Sequence, residues 1–173
     1  MALTKIISGG QTGVDRGALD AALVAGFPCG GWCPADREAE DGSIPERYPL
    51  TPLPAELASG TRQRTPARQV GEQNRARALK NVQDSDGTVI LVNESLTGGT
   101  LLIRHLCVRA KRPFIVLDAK QMTKLRVADA ISRFVEEYEI QVLNVAGPRL
   151  SGWPQGYRFA LAVVSEVLAR EGR

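Results

Sequence analysis

Residues 87–93 (GTVILVN) are apolar at consecutive positions rather than at alternate ones. A strand of that kind is buried on both faces, which is the situation inside a parallel sheet covered by helices above and below. This one run argues for an α/β chain, and its surroundings supply the helices. Apolar runs alternate with helical spacing along the sequence, the mark of repeated βα units. Residues 2–8 (ALTKIIS) read as a first strand. Residues 15–25 read as a helix, with Leu19, Ala22, Leu23 and Gly26 at helical spacing and Gly26 suited to its end. Residues 28–33 read as a short second strand and residues 67–83 as a polar helix. A helix from the Gly98-Gly99 pair to Ala110 leads to a strand over residues 113–117. A helix over residues 123–138 should bury Ala128, Ile131, Phe134, Val135 and Tyr138. Residues 140–145 read as the last strand, and Tyr157, Leu161, Val164 and Leu168 define a closing helix. The expected fold is a Rossmann-like, doubly wound, mostly parallel sheet with helices on both faces. At 173 residues and 43% hydrophobic content, one domain over residues 1–173 is expected.

Several function classes recede on composition alone. No apolar stretch approaches the roughly 20 residues that span a bilayer, and the amino-terminal apolar run is too short for a secretory h-region. Cys29, Cys33 and Cys107 make an odd count, which suits reduced thiols. The expectation is a cytoplasmic protein with no membrane partner. Cys29 and Cys33 would share one face of a strand as core residues, without a second pair of metal ligands. His105, the only histidine, falls in mid-helix as a structural residue, so neither a Ser-His-Asp set nor a multi-histidine metal site is visible. The formal charge of +3 is uneven, because six basic residues and one acid, Glu72, lie between Gly60 and Val82. That segment carries no aromatic residue to stack a base, so a solvated helix face is expected there and nucleic-acid binding through residues 62–80 is the lesser reading.

Ligands of such a sheet bind beyond the carboxyl ends of the strands. Three loops there are unusual. The first, Ser8-Gly9-Gly10-Gln11-Thr12-Gly13-Val14-Asp15-Arg16, combines small residues with a following helix whose first N–H groups could meet an anion. It lacks the Lys of a P-loop and the GxGxxG spacing of a dinucleotide fingerprint, so it points to a generic phosphate or carboxylate site. The second, Leu96-Thr97-Gly98-Gly99-Thr100, would bring a second set of amides and a hydroxyl to the same edge. The third, Asn144-Val145-Ala146-Gly147-Pro148-Arg149, presents an arginine fork suited to phosphate. Each loop alone also fits an ordinary capped turn. Residues 34–60 form a long, proline-bearing excursion with Trp32, Arg37, Glu40, Asp41, Gly42 and Tyr48 in or beside it. These could stack a ring, hold anions or meet a hard cation, and their spacing specifies none of these. Mg2+ is therefore not indicated, and no metal ligands are assigned.

Together the blocks ISGGQTGVDRGALDAAL, GGWCP with AEDGSIP, NVQDSDGTVIL, LTGGT and LNVAGPR resemble a family labelled as molybdenum cofactor carriers, a label that itself rests on similarity. The likeness covers nearly the whole chain. The family is similar to a circularly permuted branch of the SLOG superfamily of Rossmann-like proteins, which includes the cytokinin-activating phosphoribohydrolases. The resemblance implies a nucleotide-like ligand site formed by Gly9, Gly10, Thr12, Gly13, Gly98, Gly99 and Thr100, with Asn144, Gly147 and Arg149 completing it. It also implies a homo-oligomer, a dimer or a tetramer. The phosphoribohydrolases carry a GGxGTxxE pattern, whereas this chain lacks the extra glycine and has Ile103 in place of the glutamate. The arginine-rich stretch over residues 60–77 lengthens the spacing before NVQDSDG and suggests a lid or a subunit contact.

The leading expectation is a binding protein for a phosphorylated nucleotide or pterin, including a molybdenum cofactor. Gln11, Asp15, Arg16, Trp32 and Arg37 would stand near the glycine loops, and no group would turn the ligand over. The competing expectation is a nucleotide-processing enzyme related to the phosphoribohydrolases. It would use Asp15, Glu40 or Asp41 as general base and Arg16 or Arg149 as electrostatic stabiliser.

Overall fold

The computed structural model describes residues 2–58 and 66–172. β1 (Lys5–Ile7) runs through the first glycine loop into α1 (Val14–Val24), and β2 (Cys29–Gly30) returns beside β1. The excursion holds β3 (Trp32–Cys33), the hairpin strands β4 (Glu38–Ala39) and β5 (Gly42–Ser43), β6 (Thr51–Pro52) and the turn of helix α2 (Ala55–Ala58). After it come α3 (Pro66–Gln83), β7 (Gly87–Val92), α4 (Gly98–Ala110), β8 (Phe114–Asp118), α5 (Lys124–Glu137), β9 (Val142–Ala146) and α6 (Gly156–Glu171).

The main sheet has five parallel strands in the order β2-β1-β9-β7-β8. Its α1, α5 and α6 pack together over one face, in a core that takes Val89, Leu91, Leu143 and Val145 from the strands. Because side chains alternate along a strand, Thr88 and Asn144 point to the other face, where α3 and α4 pack through Ala78, Val82, Leu106 and Cys107. Every residue of β7 is buried, as its unbroken apolar run requires. Among the described residues no helix is long and apolar enough to cross a membrane.

Several local expectations are corrected. Residues 28–33 are not one strand: β2 joins the main sheet while β3 pairs in parallel with β6. The break is at Gly31, which has φ 127° and passes so close to β1 that a Cβ there would overlap the Ser8 carbonyl oxygen. Cys33 lies buried in a smaller apolar cluster, and half-buried Cys29 packs against both that cluster and the main core. Tyr138 caps α5 and is 50% exposed, stacking beside Phe134 instead of joining the core. In α6 the fully buried face is Ala160, Val163, Val164 and Val167, while Tyr157 and Leu161 are only half-buried. The cause is the close crossing of α1, whose Gly17 lies against the Tyr157 carbonyl and Ala160. Leu23 of α1 is 38% exposed, and His105 lies exposed on α4 rather than packed.

The excursion is anchored rather than irregular. Ile44, Tyr48 and Leu50 pack with Leu19 and Cys33 as a second small core. The Tyr48 hydroxyl donates to Asp20 at 3.0 Å and Tyr157 donates to the same carboxylate at 2.7 Å. Burial, reinforced by Asp20, pushes the Tyr48 phenol up to about 12.

Candidate functional site

The three glycine-bearing loops leave the carboxyl ends of β1, β9 and β7, which are neighbours in the sheet. Since α1 and α4 depart to opposite faces, the crevice between their amino termini is where a doubly wound sheet takes ligands. A cavity of about 320 Å³ opens there, with α3 as a further wall. Its lining includes Gly9, Gln11 and Asp15 from the first loop, Gly98 and Gly99 from the second, and Asn144, Gly147 and Arg149 from the third. The loops that stood apart in sequence thus share one space.

The principal cation of the cavity is Arg77, on α3. Its side chain is 11% exposed and its Nη1 donates to Asp15 Oδ2 at 3.2 Å. The guanidinium lies close against the first loop, where a Cβ on Gly9 would overlap Nη1 and come within 2.6 Å of Cζ. Arg77 Nε is buried and has no hydrogen-bond partner among the described residues. A buried donor left in that state costs roughly 1–3 kcal/mol, and a ligand acceptor would offset it. Asp15 also receives the Gln11 amide at 3.3 Å. Burial pushes the Asp15 carboxyl up, with Arg77 pulling against it, and burial lowers the Arg77 guanidinium, with Asp15 opposing. Both shifts express one fact, that a charged pair has been drawn out of water.

At the opposite wall, Thr100 accepts from the Thr97 amide at 3.2 Å and donates to the Thr97 carbonyl at 2.8 Å, which fixes the start of α4. The amides of Gly98 and Gly99 make no hydrogen bond among the described residues, and a Cβ at either glycine would meet nothing within 4 Å. They face open space in the cavity wall, at the positive end of a helix of 13 residues. Asn144 donates from Nδ2 to Thr88 at 3.2 Å, which holds its amide at the cavity floor. The Arg149 guanidinium forms no hydrogen bond or ion pair among the described residues and lies at the rim. Ile103, at the position of the phosphoribohydrolase glutamate, lines the cavity as an apolar group.

Several expected site residues are employed elsewhere. Gly10 has φ 74° and packs under Leu50 and Ile44, and Gly13 has φ 81° and packs against the Pro148 carbonyl. Thr12 donates to Glu40 and accepts from the Leu150 amide at 3.1 Å. Glu40 also accepts from the Ser151 hydroxyl at 2.5 Å; these hydroxyl contacts, Ser151 first and then Thr12, hold its carboxyl below the usual range. Arg16 clamps Asp41 at 2.6 and 2.9 Å, donates to the Gly10 carbonyl at 3.1 Å, and keeps the Asp41 carboxyl low. Glu40 and Asp41 therefore fasten the β4–β5 hairpin to the first loop, and of the three candidate bases Asp15 alone lines the cavity. Arg37 donates to the carbonyls of Leu50, Pro45 and Tyr48 within the excursion. Trp32 donates to Asp84 at 2.7 Å beneath Lys80, away from the cavity.

What sequence reasoning missed lies on α3. Asn74, Arg77 and Asn81 recur at i, i+3 and i+7, a polar stripe on the face turned to the sheet, and all three line the cavity. That spacing was the available signal. The basic segment is thus no uniform solvated face: Arg77 points inward and Lys80 sits 4.8 Å from the centre of the Trp32 ring. Residues 60–65 of the arginine-rich stretch, with Arg62 and Arg64, lie outside the described residues, as does the Arg68 side chain. A second hollow of about 210 Å³ adjoins the cavity and shares Gln11, Asn74 and Arg149 with it. Among the described residues no group of three or more His, Cys, Asp or Glu side chains is placed to hold a metal ion.

Fold and site together define a Rossmann-like, doubly wound protein with paired glycine loops gathered at one sheet edge. The chain belongs to the circularly permutated YpsA SLOG family, whose model matches residues 6–168. It is 38% identical to a protein of Syntrophus aciditrophicus SB described as a putative molybdenum carrier protein. That protein's crystal structure, at 1.45 Å resolution, is similar with a TM-score of 0.83 over 96% of each chain. No curated protein matches the chain significantly.

Proposed function

We propose that the protein reversibly binds a phosphorylated small molecule of nucleotide or pterin type at the edge of β1, β9 and β7. The observation that carries this reading is the convergence of the buried Arg77 guanidinium, with its unpaired Nε, and the open Gly98 and Gly99 amides on one cavity. These are anion-binding groups, and Arg149 adds a second cation at the rim. The volume of about 320 Å³ lies at the small end of ligand pockets, which span roughly 300–1,000 Å³, and suits a mononucleotide or a pterin phosphate better than a dinucleotide. The amides of Gln11, Asn74 and Asn144 line the same space and can pair with a ring edge, whereas the Asn81 amide is bonded at both ends to the Trp32 backbone.

The carrier description of the Syntrophus protein makes a molybdenum cofactor one form of that ligand. The anion-binding groups of the cavity support a place for its phosphate. Cys29, Cys33 and Cys107 do not line the cavity, so the metal would keep the ligands that the cofactor brings. Ile103 in place of an acid, with Glu40 and Asp41 committed to the hairpin, favours binding over turnover. Titration calorimetry with inorganic phosphate, nucleoside monophosphates and pterin phosphates tests the reading. Gly99→Asp puts a carboxylate into the open wall and should cost at least about tenfold in affinity. Unchanged binding by that variant would refute the site.

A further inference from the structure

The hollow beside the cavity differs from it in charge. The cavity has Arg77 and Arg149 against Asp15, whereas the hollow has Asp36, Glu38 and Glu40 against Arg149. Not all of these acids are available. Glu40 is taken by Thr12 and Ser151, and one oxygen of Asp36 accepts from the Glu38 amide at 3.0 Å. Among the described residues the Glu38 carboxylate accepts no hydrogen bond. Two neighbours on α3 share this condition. Gln73 is 8% exposed, lines the hollow, and has no side-chain partner among the described residues. Asn74 Oδ1 is buried without a partner and borders both spaces. The hollow is also held in fixed relation to the cavity, because Gln11, which walls both, donates from Nε2 to the Glu38 carbonyl at 3.3 Å.

We infer that the hollow is a second subsite of the same ligand, where Glu38, Gln73 and Asn74 receive an amino-bearing, hydrogen-bond-donating ring edge while the phosphate lies against Arg77 and Gly98-Gly99. This rests on the phosphate reading of the cavity and adds to it. A second phosphate or a carboxylate would face like charge in the hollow, whereas an amino group and an adjacent ring N–H would meet the exposed Glu38 carboxylate and satisfy the buried Asn74 Oδ1, which is unpaired among the described residues. A charged acceptor makes the stronger kind of hydrogen bond, so Glu38 sets the preference.

The test compares ligands that differ in one amino group: GMP against IMP, and AMP against purine riboside 5′-monophosphate, with ribose 5-phosphate as the ring-free reference, all by calorimetry. The wild type should prefer the amino-bearing member of at least one pair by roughly tenfold, and Glu38→Gln should bring that ratio close to one. Glu38 is exposed on the hairpin, and an unchanged melting curve establishes that the variant folds. An Asn74→Leu variant provides an independent loss of the same preference. Binding of ribose 5-phosphate with no amino preference in either pair would overturn the subsite and leave the phosphate reading standing. No binding of any of these phosphates would overturn both. An affinity that depends on Mg2+ in the wild type but not in Glu38→Gln would make the hollow a cation site and overturn the inference.

Discussion

Replacing Gly9 with alanine isolates the contact on which the cavity depends. Gly9 does not need a positive φ, so the methyl group is the perturbation. It would overlap Arg77 Nη1 and stand 2.9 Å from Asp15 Oδ2. The guanidinium must swing away, which opens the 3.2 Å pair and leaves two side chains, 11% and 7% exposed, without each other. Breaking a buried pair costs about 3–5 kcal/mol when one partner is stranded. Arg77 sits at the end of a flexible chain beside an open cavity and recovers part of that, so about 2–4 kcal/mol is expected. For a chain of this size that lowers Tm by about 4–16 °C. Phosphate affinity should fall by at least about tenfold, because the displaced guanidinium occupies the space the anion needs. Thermal unfolding followed by circular dichroism and calorimetry with phosphate read both effects. A Gly9→Ala protein that melts and binds like the wild type would refute the placement of Arg77 against the first loop.

Other expectations follow from the same contacts. Gly31→Ala combines φ 127° with overlap of the Ser8 carbonyl, and should lower stability by about 2–4 kcal/mol in denaturant unfolding. The Glu40 carboxyl lies below its ordinary 4.5 in the folded protein. Its contribution is present above the unfolded value and lost as pH falls through the folded one. The Tm difference between wild type and Glu40→Gln should therefore be largest at neutral pH and shrink on acidification; a difference that grew towards acid would contradict the clasp. Ile103→Glu places a negative charge in the cavity wall and should weaken phosphate binding by at least about fivefold, most strongly at low salt. Undiminished affinity would place the anion elsewhere.

The fold was legible where burial has a simple signature. The run through β7 read as an interior strand, and the apolar spacing of Ala128, Ile131, Phe134 and Val135 read as a helix with one buried face. The three glycine loops were legible as a group, because each follows an apolar run and precedes helical spacing. Their division of labour was not. Gly98 and Gly99 face open space while Gly10 and Gly13 meet packed neighbours, and a glycine letter does not say which. Arg77 was hidden among five other cations of its segment. Its inward direction follows from α3 lying over the sheet edge, a tertiary fact, and the Asn74-Arg77-Asn81 spacing marks the three residues only as sharing one face. Glu40 and Asp41 resemble catalytic acids beside a phosphate loop in sequence and are fasteners in space, since the hairpin folds back on Thr12 and Arg16.

The central claim is that the cavity holds a phosphorylated small molecule, and native mass spectrometry of the purified protein, before and after denaturation, tests it most directly. The account predicts a bound species released on unfolding whose mass and fragmentation show a phosphate ester on a nucleobase or a pterin, and which is lost from Gly99→Asp. A copurified ligand without phosphate, or one retained undiminished by that variant, would contradict it.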